Sequence, residues 1–161
     1  MQMVYLGIGS NIGGRENNCL RAISLLGENG LKITKRSAMY ETEPWGVKDQ
    51  PRFINMAVEA ETDVSPRDLL ALIKKIESEM GRRTGKKWGP RVIDIDILMY
   101  ENIQMNEVDL SIPHSLMHER EFVLRPLSEI APDKIHPVLC KTIRELLDRK
   151  ASVPEGRHEG Q

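Results

Sequence analysis

The order of apolar and polar positions at the start of the chain predicts a strand followed by a helix. Large and small side chains alternate over residues 4–9, so that Val4, Leu6 and Ile8 share one face of the strand. Apolar residues then recur at helical spacing over residues 19–26, and the glycines at positions 27 and 30 predict the end of that helix. The chain therefore opens with a strand–helix unit.

The middle of the chain predicts two more strands, a second helix and a fourth strand. Residues 31–40 carry an irregular strand pattern, and residues 53–61 alternate cleanly between apolar and polar positions. Ser65 and Pro66 have the residue types of a helix N-cap and first helical position, and an apolar stripe at helical spacing follows them. Residues 93–97 predict a strand with three isoleucines on one face and two aspartates on the other.

Smaller elements follow these six. Residues 109–113 predict a short strand, residues 117–127 a connector with helical character, and residues 142–150 a last helix. Residues 151–161 contain one large apolar side chain, a valine, and predict a frayed tail. The order favours an α+β fold, a ferredoxin-like βαββαβ sandwich with C-terminal additions, in a single domain over residues 1–150.

Composition narrows the class of protein. The 161 residues are 40% hydrophobic and 29% charged, as in a soluble globular domain, and the formal net charge is −1. No overall field would attract nucleic acid or an anionic membrane, so we expect neither as a partner. No apolar run is long enough to span a bilayer, and no basic leader opens the chain, so we expect a cytoplasmic protein. Cys19 and Cys140 stand apart from other metal ligands and are interpreted as small buried hydrophobes.

One face of the predicted sheet is poor in core residues. If the helices cover the face of Val4, Leu6 and Ile8, the opposite face carries residues that are too small, too polar or too acidic for a core. This set is Gly7, Gly9, Phe53, Asn55, Asp94 and Asp96. We interpret the glycines as clearance for a ligand lying on the sheet.

Asp94 and Asp96 are the first candidates for chemistry. They lie roughly 6.6 Å apart along one strand and point the same way, which brings like charges together. Hard oxygen ligands of this kind suit Mg²⁺, and a pair of such ions recurs in phosphoryl transfer. The alternative is that the two acids form the solvated side of an antiparallel strand.

A basic segment immediately before the aspartates favours the metal hypothesis. Residues 82–91 hold five cations and no acid, namely Arg82, Arg83, Lys86, Lys87 and Arg91. Metal ions and guanidinium groups can hold the same polyphosphate, and arginine binds phosphate with two parallel hydrogen bonds, so Arg82 and Arg91 are preferred. The alternative is a solvated loop with surface ion pairs.

Phe53 and Asn55 share the open face and suit a flat ring. The Asn55 amide both donates and accepts, which matches a heterocycle with mixed edges, and Phe53 could stack on it. Alternatively, Phe53 covers a core edge and Asn55 caps a turn. His114 and His118 are too isolated to predict metal ligation.

Four blocks of the sequence resemble 6-hydroxymethyl-7,8-dihydropterin pyrophosphokinase of folate biosynthesis. They are Gly9-Ser10-Asn11, residues 49–55, Gly81-Arg82 and, most specifically, the Trp-Gly-Pro-Arg to Asp-x-Asp block of residues 88–97. The resemblance runs in order from about residue 4 to residue 137. It implies a ferredoxin-like α+β fold and transfer of the terminal diphosphate of ATP to the hydroxymethyl group of the pterin, with release of AMP.

The resemblance also implies roles for individual residues. Two Mg²⁺ ions would be held by Asp94 and Asp96, which with Arg82 and Arg91 form the predicted catalytic set. ATP would be bound by Glu77, Arg82, Lys87, Ile97, Ser111, His114 and Arg120. The pterin would be bound by Thr42, Pro44, Trp45, Phe53, Asn55, Trp88 and Phe122.

The sequence departs from the family pattern at three places. The loop between Gly81 and Trp88 is one residue short, so a second phosphate clamp could be Arg83, Lys86 or Lys87, of which we choose Lys87. Ser115 stands where an aromatic residue is frequent, and Phe53 where tyrosine is frequent.

Two other functions compete with this prediction. One is a non-catalytic ferredoxin-like module that binds a small ligand or RNA, and the other is a Mg²⁺ nuclease built on the same acids. Two acids on the open face argue against an RNA platform, which needs basic or aromatic side chains there. We therefore expect a monomeric enzyme whose partners are small molecules.

Overall fold

The computed structural model describes residues 1–42, 52–81 and 92–151, which form an α+β fold with an antiparallel sheet. The strands are β1 (Gln2–Ser10), β2 (Lys32–Arg36), β3 (Tyr40–Thr42), β4 (Phe53–Thr62), β5 (Asp94–Tyr100), β6 (Met105–Glu107) and β7 (Leu110–Ile112). The helices are α1 (Arg15–Glu28), α2 (Pro66–Glu79), α3 (Glu121–Ile130) and α4 (Ile143–Ala151), with a 3-10 turn at Met117–Glu119.

The main sheet has the strand order β2-β4-β1-β5, and β3 pairs with β4 beyond the end of β2. Its register determines which side chains share a face. Gly9 on β1 lies opposite Asn55 on β4 and opposite Asp94 on β5. Two residues earlier, Gly7 lies opposite Asp96. Strands β6 and β7 form a separate hairpin.

Helices α1 and α2 cover the face that the sequence predicts to be apolar. Val4, Leu6 and Ile8 are buried there with the isoleucines of β5 and the stripe of α2. Helix α2 begins as predicted, since the Ser65 side chain accepts a hydrogen bond from the Asp68 N–H at 3.2 Å and Pro66 follows the cap. The alternation of β1 and the cap of α2 therefore predict this core correctly.

The opposite face carries a second core, which corrects the expectation that this face lacks one. Tyr5, Ala57 and Met99 are buried there against α3 and α4. Tyr5 pairs with Met99 whereas the next residue of β1 pairs with Ile97, so Leu98 is an extra residue in β5 and joins the same core. This core does not include Gly9, Asn55 or the aspartates, and it therefore leaves the other end of the face to polar groups.

Several element boundaries differ from the predictions. The strand expected over residues 31–40 is split into β2 and β3, because Ser37 donates its N–H to the Ala57 carbonyl and accepts the Ala57 N–H with its hydroxyl, each at 2.9 Å. A side-chain oxygen thus replaces a backbone acceptor at the break. Helix α1 continues through Gly27 to Glu28, and the predicted connector is a full helix, α3, that extends to Ile130.

The last part of the chain follows the prediction with one exception. Residues 143–151 form α4, and β7 confirms the short strand, although its partner β6 was not predicted. Cys19 is buried as expected, but Cys140 is exposed, and its backbone has a positive φ of 58°. Residues 152–161 of the predicted tail lie outside the described residues. Across the described ranges, no helix combines the length and the apolar composition needed to cross a bilayer.

Candidate active site

Asp94 and Asp96 line a cavity of about 370 Å³ between β5, α2 and the β6–β7 hairpin. Both carboxylates are half-buried and project from the same face of β5. The predicted nucleotide-binding residues that line the same cavity are Glu77, Ile97, Ser111 and His114, and Ser115 lines it as well. The structure thus brings together the two acids and every predicted nucleotide residue of the described ranges except Arg120.

Glu77 holds the carboxylate strand against α2. Its side chain is 5% exposed, and its Oε2 accepts the backbone N–H of Ile95 at 2.9 Å. Ile95 lies between Asp94 and Asp96, on the outer strand of the described sheet, where a backbone N–H has no neighbouring strand to bond. A buried carboxylate from the helix therefore supplies the missing acceptor beside the two acids.

Arg120, which immediately precedes α3, brings positive charge to the two aspartates. Burial lowers the pKa of its guanidinium, and the charges of Asp96 and then Asp94 oppose that shift. Paired acids on one strand need a cation to compensate them, and this side chain supplies part of that positive charge. Binding of ATP by Arg120 stays a prediction.

His114 is a neutral group in the wall of the same cavity. Burial lowers its pKa, the charge of Arg120 lowers it further, and Asp94 opposes both. Its Nδ1 accepts the Leu116 N–H at 3.2 Å, so the proton of the neutral ring lies on Nε2. The cavity wall therefore offers an uncharged N–H donor next to the acids.

The acids fit the Mg²⁺ that the sequence predicts. Among the residues that the structure describes, no group of three or more His, Cys, Asp or Glu side chains could hold a metal ion. Two carboxylates suffice for Mg²⁺, which is typically held by one or two of them and completes its shell with water and phosphate oxygens. The donor set of Asp94 and Asp96 is of this kind, whereas the number of ions stays a prediction.

Thr42 and Asn55 meet on the same face of the sheet. The Asn55 amide donates a hydrogen bond from Nδ2 to Oγ1 of Thr42 at 2.7 Å. A Cβ atom built on Gly9 would lie 2.8 Å from Oδ1 of Asn55, so this glycine makes room for the amide. A Cβ on Gly7 would meet Leu98 at an ordinary 3.6 Å. The interpretation of both glycines as clearance for a ligand is therefore corrected.

Two aromatic residues of the predicted pterin site, Phe53 and Phe122, lie within the described residues. Phe53 is half-buried and pairs in register with Thr42. Phe122 is the second residue of α3, and the guanidinium carbon of Arg120 lies 5.6 Å from the centre of its ring. Stacking of a ligand between the two rings stays a prediction.

Several predicted site residues lie outside the described residues. They are Pro44, Trp45, Arg82, Lys87, Trp88 and Arg91, together with the alternatives Arg83 and Lys86.

Arg15 is absent from the predicted residues, and it joins α1, β3 and the residue before β4. It donates from Nη1 to Glu41 at 3.0 Å and to the carbonyl of Arg52 at 2.7 Å, and so connects the start of α1 to β3 and to the residue before β4. A basic residue in the first turn of a helix is disfavoured by the helix dipole, which was the signal that could have found it.

Known proteins match this chain over the residues that form the site. The model of the family 7,8-dihydro-6-hydroxymethylpterin-pyrophosphokinase (HPPK) matches residues 5–132. The 2-amino-4-hydroxy-6-hydroxymethyldihydropteridine pyrophosphokinase of Aquifex aeolicus is 45% identical over 145 residues, which cover 90% of each chain. The protein of the same name from Bacillus subtilis is 45% identical over 129 residues, 80% of this chain and 77% of that one.

A solved structure shows the same fold. The crystal structure of Plasmodium falciparum HPPK-DHPS with SDX-DHP matches with a TM-score of 0.72 at 22% identity. The match covers 94% of this chain and 44% of the solved chain, so this chain spans less than half of that protein.

Proposed function

Since this chain belongs to the 7,8-dihydro-6-hydroxymethylpterin-pyrophosphokinase family, we propose that it transfers the terminal diphosphate of ATP to 6-hydroxymethyl-7,8-dihydropterin in folate biosynthesis. The hydroxymethyl group loses its hydroxyl proton to solvent, and its oxygen forms a bond to the β-phosphorus. The bond between that phosphorus and the α–β bridging oxygen breaks, and AMP leaves. ATP is a co-substrate of this reaction. The enzyme is a transferase that needs no covalent intermediate.

One observation supports the proposal above all. Asp94, Gly9 and Asn55 form a single row across three neighbouring strands. Two strand spacings of roughly 4.8 Å each separate the first from the third, so the acid and the amide lie about 10 Å apart on one face. A polyphosphate at the acids and a flat ring at the amide would then lie side by side, as a reaction between the two ligands requires.

In this proposal the residues of the cavity bind and orient the triphosphate. Asp94 and Asp96 would hold Mg²⁺, which would supply positive charge to the phosphate oxygens. The neutral His114 lines the same cavity, and Arg120 brings positive charge to the acids from the residue before α3. Glu77 holds the strand between the acids. Arg82, Lys87 and Arg91 stay predicted phosphate ligands.

At the other end of the row, Asn55 and Thr42 form hydrogen bonds with the polar edge of the pterin. Phe53, Phe122, Pro44, Trp45 and Trp88 complete the predicted pterin site. Catalysis is then mostly positioning and electrostatics, and orientation alone can supply roughly 7–11 kcal/mol of the barrier.

We also propose that the fold is the ferredoxin-like sandwich with C-terminal additions. Its support is the strand order, in which β2 and β3 together occupy the place of one edge strand, and the packing of α1 and α2 on one face. We further propose one domain over residues 1–150, a monomer, and action in the cytoplasm. The non-catalytic module is not favoured, since the relatives are named as pyrophosphokinases.

The deciding experiment measures product formation directly. The protein is incubated with ATP, Mg²⁺ and 6-hydroxymethyl-7,8-dihydropterin, and nucleotides are separated by chromatography. We expect AMP in equal amount to the pterin consumed, no ADP, and no AMP when the pterin is omitted. Binding of both ligands without AMP would favour the non-catalytic module, and cleavage of a nucleic acid with Mg²⁺ would favour the nuclease.

A further inference from the structure

Glu129 fastens the end of α3 to the edge of the sheet that carries Thr42. Its Oε1 accepts the hydroxyl of Tyr40 at 2.7 Å and the backbone N–H of Ala38 at 3.0 Å, and its Oε2 lies 3.2 Å from the same N–H. Tyr40 belongs to β3, and Ala38 lies in the break between β2 and β3. One carboxylate therefore joins the helix both to the strand and to the segment that precedes it.

The other end of α3 lies beside the two aspartates. Arg120 precedes the helix, and its guanidinium interacts electrostatically with Asp96 and Asp94 on β5. Helix α3 thus crosses the site face, with its start at the carboxylates of β5 and its end fixed to β3, and it packs on β4 between them.

Phe122 lies on the same side of α3 as Glu129. The two residues are seven positions apart, which is about two helical turns or roughly 10.5 Å along the axis. Arg125 lies between them, and its charge acts on the hydroxyl of Tyr40, which places this stripe of the helix along β3.

The strand that Glu129 contacts carries residues of the pterin site. Tyr40 and Thr42 project from the same face of β3, and they pair in register with Asn55 and Phe53 respectively. A shift of α3 relative to Tyr40 would therefore change the distance between Phe122 and the Thr42–Asn55 pair.

We propose that Glu129 is a positioning residue for the pterin: by joining α3 to Tyr40 and Ala38, it sets the gap between Phe122 and the Thr42–Asn55 pair in which the ring stacks. This inference rests on the proposed function. It assigns to Glu129 and Tyr40 a role in pterin affinity without any contact to the pterin itself.

The test separates pterin affinity from nucleotide affinity. Glu129→Ala removes every acceptor, Tyr40→Phe removes one donor, and Glu129→Gln retains an oxygen that can accept from Tyr40. We expect Glu129→Ala to raise the KM for the pterin roughly 5- to 10-fold, Tyr40→Phe about threefold, and Glu129→Gln less than Glu129→Ala, given the usual strength of such hydrogen bonds. Among the predicted ATP ligands of the described ranges, Arg120 alone adjoins α3, whereas those on α2, β5 and β7 do not touch Glu129. The KM for ATP should therefore change less than about twofold.

A matched control removes a carboxylate of the same type elsewhere. Glu145 accepts the Thr142 N–H at 2.8 Å at the start of α4 and has no place in the site. Glu145→Ala should lower the unfolding temperature as much as Glu129→Ala does, while the KM for the pterin stays unchanged.

The inference is wrong if Glu129→Ala raises both KM values equally, or leaves the KM for the pterin unchanged. Calorimetry of pterin binding, in the presence of Mg²⁺ and a non-hydrolysable ATP analogue, measures the ratio of the Kd of Glu129→Ala to that of the wild type without turnover. An inactive wild-type protein would therefore contradict the proposed function, while the calorimetric ratio still decides the role of Glu129.

Discussion

Oδ1 of Asn55 occupies the space directly above Gly9, within 2.8 Å of where a side chain would begin. The contact crosses from β4 to β1 in the row that also contains Asp94. A glycine on one strand therefore determines the orientation of an amide on the next, and the amide in turn orients the hydroxyl of Thr42.

We expect Gly9→Ala to displace the Asn55 amide and break its hydrogen bond to Thr42. Loss of the oriented amide should cost about 1 kcal/mol of pterin-binding free energy and so raise the KM for the pterin about fivefold. Gly7→Ala is the matched control, because its Cβ would meet Leu98 at an ordinary 3.6 Å. Steady-state kinetics on both variants check the prediction, and equal effects would show that Asn55 is not the cause.

Asp96→Asn and Asp94→Asn should each reduce AMP formation by at least about 100-fold, because each removes a charged oxygen ligand from the predicted Mg²⁺ site. The fold should persist, and its unfolding free energy is measured in urea. Asp133→Asn removes an exposed carboxylate that pairs with Arg144 at 3.3 Å and should leave activity unchanged. Near-normal diphosphate transfer by Asp96→Asn would mean that the metal assignment is wrong.

Glu77→Ala should lower the free energy of unfolding by roughly 1–3 kcal/mol, since it leaves the buried N–H of Ile95 without its acceptor. Glu77→Gln keeps an oxygen for that N–H and should cost less. Urea denaturation compares the two variants with the wild type. A similar loss in both would attribute the stability to the charge of Glu77 and not to the hydrogen bond.

His136 should make the protein less stable in acid. The ring is 3% exposed, and its Nδ1 accepts the N–H groups of Val138 and Leu139 at 3.2 and 3.1 Å. A second proton would have to bind this same Nδ1, and burial together with the charge of His118 lowers the pKa of His136.

The lowered pKa determines the direction of this pH dependence. At acidic pH the unfolded chain binds a proton that folded His136 does not, so the free energy of unfolding decreases as the pH falls below the ordinary value of 6.5. Above that value the contribution is constant. His136→Asn retains a hydrogen-bond acceptor but has no titrating group. Between roughly pH 8 and pH 5, the range in which histidine titrates, this variant should lose less free energy of unfolding than the wild type. Identical slopes in both proteins would contradict this role.

Local signals predicted the first core correctly, whereas the prediction that the opposite face lacks a core was wrong. The alternation of β1 predicts the buried face of Val4, Leu6 and Ile8. The capping chemistry of Ser65 predicts the start of α2. The second core depends on Leu98 being an extra residue in β5, which no periodicity in the sequence marks. Helix α3 was underestimated because an internal proline, Pro126, interrupts the pattern, although the helix continues through it.

The candidate site was likewise predicted only in part. The two aspartates follow from their spacing, and the resemblance supplied Glu77, Ser111 and His114, which the fold gathers around one cavity. Contacts between distant segments left no local pattern: the bond from Glu77 to Ile95 spans 18 positions, and the bond from Tyr40 to Glu129 spans 89.

The bond between Glu77 and the Ile95 N–H also bears on self-association. Strand β5 is the outer strand of the described sheet, and an outer strand recruits another chain through its unpaired backbone groups. Here the Glu77 carboxylate of α2 already accepts the backbone N–H of Ile95, which lies between Asp94 and Asp96. A second copy could not extend the sheet at that position without first expelling a buried carboxylate, which disfavours polymerisation along the edge that carries the predicted metal ligands.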